Sequence, residues 1–160
     1  MEDIWNITAL VVSVLSVLLS LYALRQATTK NTSDMYLFFI SQYAKEDMKL
    51  ALRKLKDIKR GVYRLEQWES DMKNNLPKAL EYDEARRLVK YFYDTLAYMK
   101  LEKLIEARFV RLICLKKGAW LYLDTVEAME KFFDSGYDKK PYAVIRDVCE
   151  NLRKEGCCPP

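Results

Sequence analysis

Apolar positions along this chain change their spacing once, near residue 25. From residue 4 to residue 24 they run almost without interruption, with ITALVVSVLSVLLSLYAL at the heart of 21 uncharged positions. As a helix rising 1.5 Å per residue such a run covers about 30 Å, the hydrocarbon thickness of a bilayer. Beyond it, apolar residues return every three or four positions among charged ones, the pattern of amphipathic helices. The pattern predicts an all-α protein: a single N-terminal transmembrane helix within residues 1–30, then a compact cytoplasmic bundle of about five to six helices over residues 31–160.

The flanks of the apolar run set the expected orientation. Glu2 and Asp3 precede it and Arg25 and Lys30 follow it, and the basic flank is the one retained on the cytoplasmic side. The expected localisation is therefore the cell membrane, single-pass, with the N-terminus outside and the C-terminal domain cytoplasmic. A cleavable signal peptide fits less well, because the segment has an acidic leading end and no A-x-A-like cleavage site. Within the run, Ala9, Ser13, Ser16, Ser20 and Ala23 fall on one stripe at steps of four and three. Small stripes let helix backbones approach closely, so this face is expected to pack against another transmembrane helix. The alternative is that the serines bond their own i−4 carbonyls.

In the remainder, glycines and prolines separate the helical stretches and never interrupt them. A helix is expected from the N-capping Thr32-Ser33-Asp34 to about residue 59, with Met48, Leu52, Leu55, Ile58, Val62 and Leu65 inward. A short one follows around Leu65, Trp68 and Met72. From 81 to about 101, Ala85, Leu88, Val89, Phe92, Leu96 and Met99 form one stripe, predicted to be the hydrophobic centre, with Arg86, Arg87, Lys90 and Asp94 off it and Tyr93 beside it. Further helices are expected over 102–117, closed by Lys116, Lys117 and Gly118, over 120–133, and from Pro141 to Gly156.

The order LVKYFYDTLAYMKLEKLIEARFVRLICLKKGAWLYLDTVEAMEKFF, then DKKPYAVIRDVCENLRK, behind an N-terminal apolar helix, resembles a domain-of-unknown-function family of small single-pass bacterial and archaeal membrane proteins. The likeness covers Leu88 to Lys154 plus the anchor. It implies a membrane-tethered helical domain and carries over no chemistry, because that family has none assigned.

Composition narrows the function. Residues 31–160 hold 25 basic and 21 acidic side chains, a mild excess that suits an anionic surface more than nucleic acid. Histidine is absent, which removes the commonest general base and metal ligand. No phosphate-cradling glycine motif or nucleophile elbow occurs. No catalytic residue, resident metal or cofactor is therefore expected, and the chain reads as non-enzymatic.

Two features remain. Residues 45–60 carry seven basic against three acidic side chains, and Lys45, Lys49, Arg53, Lys56 and Arg60 are candidates for a face resting on anionic lipid. Cys149, Cys157 and Cys158 are candidates for a redox or soft-metal site, while Cys114 reads as a small buried hydrophobe. The leading expectation is a membrane-anchored accessory or assembly subunit. Its partners would be the lipid bilayer and another membrane protein, a larger membrane complex or a second copy of itself; no nucleic acid is expected. The alternative is a thiol- or metal-responsive membrane-tethered regulator.

Overall fold

A computed structural model describes residues 16–23, 33–133 and 137–157. The chain divides into two compact units, Met1–Leu37 and Phe38–Pro160. In the first, residues 16–23 and 33–37 are helical. Residues 4–15 and 24 of the expected span lie outside the described residues, as do Ala9 and Ser13. Ser16, Ser20 and Ala23 are described and exposed, and the Ser20 hydroxyl donates to the Ser16 carbonyl at 2.8 Å, the i−4 bond that competes with an interhelical one.

Among the described residues no helix is long and apolar enough to cross a membrane, which overturns the expected single-pass localisation with its outside N-terminus and cytoplasmic domain. Among the described residues the one helix long enough by residue count, Pro77–Leu101, carries charges from Lys78 to Lys100.

The second unit is all-helical among its described residues. Its elements are α1 (residues 38–44), α2 (Glu46–Lys59), α3 (Leu65–Lys73), α4 (Pro77–Leu101), α5 (Ala107–Cys114), α6 (Lys117–Leu121), a π-helical turn (Tyr122–Val126), α7 (Glu127–Phe133) and α8 (Lys139–Lys154). The helix expected to run unbroken to residue 59 is interrupted at Lys45, whose extended backbone (ψ 148°) separates α1 from α2. Glu46 and Asp47 then open α2, and Lys56 and Lys59 close it, matching the helix dipole at both ends. A left-handed Gly61 (φ 74°) ends α2: its N–H donates to the Ile58 carbonyl, and the Val62 N–H to that of Asp57, a Schellman closure.

Helix α4 is the centre of the unit, packing against α2, α3, α5, α8 and the π turn. Eight of its ten buried residues come in adjacent pairs, Tyr82-Asp83, Ala85-Arg86, Phe92-Tyr93 and Leu96-Ala97, because neighbours cover it on more than one side. The buried face is thus wider than the expected stripe. Leu88 is 38% exposed and Val62 73%, whereas Tyr93 is fully buried and Arg86 nearly so. Arg86 is tolerated inside because it pairs with Asp83 at 2.7 Å and with Glu130 of α7.

An aromatic series crosses this core. Phe39 meets Phe92 edge-on at 5.3 Å, Tyr93 stacks on Tyr122 at 5.1 Å, and Tyr122 on Tyr142 at 4.5 Å. The π turn widens the helix locally so that Tyr122, Leu123, Thr125 and Val126 are all buried, and the Tyr122 hydroxyl reaches Asp94 at 2.5 Å.

Candidate functional site

A groove of about 860 Å³ is lined by Tyr43 of α1, Lys49, Leu52, Arg53, Lys56, Lys59 and Arg60 of α2 and its end, Lys117, Gly118, Trp120 and Leu121 of α6, and Arg153 of α8. The α2 positions lie three and four apart, one face of that helix. Four of them belong to the basic series anticipated from the sequence, namely Lys49, Arg53, Lys56 and Arg60. Lys45, the fifth, is exposed at the extended residue before α2 and does not line the groove.

Tertiary packing adds what linear spacing could not. Lys117 and Gly118 were expected to end a helix, but Lys116 is extended (ψ 144°) and Lys117 opens α6. That turn brings a cation and Trp120 to the groove. Arg153 lies in the last turn of α8, where a cation complements the helix dipole, and Gly156 (φ 72°) closes that helix as Gly61 closes α2. No signal in the sequence pairs these positions with α2, because their proximity depends on how α2, α6 and α8 pack.

The lining is layered. Leu121 and Gly118 are buried and Tyr43, Leu52 and Trp120 half-buried, while Lys49, Arg53, Lys56, Lys59, Arg60, Lys117 and Arg153 are exposed. An apolar floor therefore lies beneath seven cations. Tyr43 is fixed by its ring, 5.9 Å from that of Phe92, and by its hydroxyl, which accepts the Gly118 N–H at 3.2 Å. Burial raises the Tyr43 pKa against the opposing pull of that N–H, so the hydroxyl adds no negative charge.

Among the described residues, none that lines the groove is a carboxylate. Lys59 reaches Asp124 at 2.5 Å and Lys49 reaches Glu46 at 3.4 Å, and both pairs are solvent-exposed. The other five cations, Arg53, Lys56, Arg60, Lys117 and Arg153, have no carboxylate partner among the described residues. Like charges gathered in a concave surface focus a positive potential and raise the local concentration of anions.

The cysteine candidates are dispersed. Cys149 is fully buried, with its pKa lowered mainly by a hydrogen bond from Cys114, whereas Cys157 is exposed, its thiol 3.7 Å from the Glu155 carbonyl. Cys158 lies outside the described residues. Among the described residues no group of three or more Cys, Asp or Glu side chains could hold a metal ion.

The fold and this groove define an all-α domain carrying a basic, apolar-floored cleft. No protein-family model matches the chain, and no curated protein or solved structure does either.

Proposed function

We propose that this protein is a non-enzymatic accessory module that docks an anionic partner in the groove between α2, α6 and α8. The observation that carries the reading is the set of five cations that converge on one lining and have no carboxylate partner among the described residues, none of which supplies a carboxylate to that lining. Self-repulsion in such a set disfavours the folded domain and is relieved when a negative partner enters. The lining brings together Lys, Arg, Tyr, Trp, Leu and Gly, a set suited to recognition by charge and apolar contact.

The test uses the full chain and fluorescently labelled polyglutamate, with binding followed by anisotropy at low and moderate salt. Binding is expected to weaken as salt screens the groove. The double variant Arg53→Glu/Lys56→Glu should lose about tenfold or more in affinity, whereas Lys139→Glu/Lys140→Glu, at exposed positions outside the groove, should bind within about twofold of the parent. Equal losses in the two double variants, or none in the first, would refute the proposal.

A further inference from the structure

We infer, building on the anion-docking reading, that the occupant of the groove is an acidic amphipathic helix of a partner protein, its apolar stripe on Leu52, Trp120 and Leu121 and its carboxylates among the cations. Three observations carry this beyond a generic anion site.

The first is layering. A small anion such as phosphate needs cations alone, yet here the half-buried and buried side chains beneath the cations are apolar. An occupant complementary to both layers has an apolar stripe flanked by negative charge, which is the cross-section of an acidic amphipathic helix.

The second is length. Lys49, Arg53, Lys56 and Arg60 follow one another at steps of four, three and four along α2. They therefore extend over about 16 Å at spacings of roughly 4.5 to 6 Å, the spacing at which i, i+3 and i+4 carboxylates follow one another on a helix lying alongside.

The third separates a peptide from single-stranded nucleic acid, which needs free aromatic faces on which successive bases stack. Among the described residues the groove is lined by two aromatic side chains, and Tyr43 is already engaged with Phe92 through its ring and with Gly118 through its hydroxyl. Among the described lining residues that leaves Trp120, and the leucines of the lining, Leu52 and Leu121, offer no π face. Leu52 and Leu121 fit the Leu or Phe side chains of a docked helix.

The experiment measures anisotropy of labelled probes with the full chain at one salt concentration. Three peptides of about twelve residues, long enough to follow the cation series, are built on Leu, Glu and Ala, the first two with identical composition. One has Leu at helical spacing with Glu flanking, one has the order scrambled to break the stripe, and one has two central alanines replaced by proline. An oligothymidylate of matched charge is the fourth probe. The amphipathic peptide is expected to bind at least about tenfold more tightly than the scrambled and proline peptides, with Leu52→Gln abolishing that preference while weaker binding to all three peptides persists. Equal affinity for the three peptides, or a preference that survives Leu52→Gln, overturns the helix inference and leaves the anionic groove standing. Oligothymidylate binding more tightly than every peptide overturns it in favour of nucleic acid. If no probe binds, both this inference and the anion-docking reading fail.

Discussion

Gly118 is where the groove and the core meet, and adding one methyl group there tests the packing beneath the site. A Cβ on Gly118 would stand 2.7 Å from the Tyr93 hydroxyl oxygen and 3.0 Å from both Cε2 and the hydroxyl oxygen of Tyr43. Tyr93 cannot swing aside, because it is fully buried with its ring between Phe92 at 5.0 Å and Tyr122 at 5.1 Å. Overpacking of this kind typically costs about 1–3 kcal/mol. Displacing Tyr43 also forfeits its bond from the Gly118 N–H, about 0.5–1.5 kcal/mol. Against these stands a gain of up to about 1 kcal/mol from replacing a helical glycine with alanine. Gly118→Ala is therefore expected to destabilise the domain by about 1–3 kcal/mol, which lowers Tm by roughly 3–10 °C.

The cause can be isolated. The Tyr93 hydroxyl is buried with no hydrogen-bond partner among the described residues, so Tyr93→Phe alone should be neutral or mildly stabilising. In that background the 2.7 Å contact no longer exists, and Gly118→Ala should cost at least about 1 kcal/mol less than in the parent. The assay is urea unfolding followed by circular dichroism on the parent, both single variants and the double variant. Strict additivity, or a Gly118→Ala protein as stable as the parent, would refute the steric argument.

Two further predictions concern the charges. Arg86→Ala should cost about 3 kcal/mol, the lower part of the range for breaking a buried ion pair, since Asp83 keeps Arg87 at 2.8 Å and Glu130 keeps Lys90 at 3.6 Å. The 71% exposed Arg87 side chain, changed to Ala, should cost less than about 1 kcal/mol in the same unfolding assay; similar losses at the two sites would contradict the burial argument. Asp138 has its pKa lowered first by the Tyr98 hydroxyl and then by the Lys140 N–H that it caps. A depressed carboxylate pKa contributes stability above its unfolded value, about 3.9, and that contribution is lost as pH falls through the lower folded value. Tyr98→Phe should therefore be slightly less stable than the parent at neutral pH, with the gap narrowing below about pH 4; a gap constant across that window would exclude Asp138 as its source.

The sequence by itself determined that the second unit is helical, and why. Apolar spacing at three and four, with glycines and prolines confined to boundaries, admits no alternation suited to strands, and the described residues of that unit form helices joined by turns. It also determined the basic face of α2, because Lys49, Arg53, Lys56 and Arg60 share a helical face wherever that helix sits. Hydropathy alone did not establish a membrane helix: among the described residues no helix is long and apolar enough to cross a membrane, and most of the apolar run over residues 4–24 lies outside them.

Only the tertiary structure decided how much of each helix is buried and what gathers at the groove. Periodicity predicts one stripe per helix, but α4 is covered on more than one side, so Tyr93 and Arg86 are buried beside Phe92 while Leu88 stays partly exposed. Arg86 can enter the core only because Asp83 and Glu130 meet it there, a pairing between α4 and α7 that local spacing does not encode. Lys117, Trp120 and Arg153 reach α2 for the same kind of reason. Charge and hydrophobicity are properties of single residues, whereas a cleft is a property of the distances between helices, and those distances are set by the packing of the whole core.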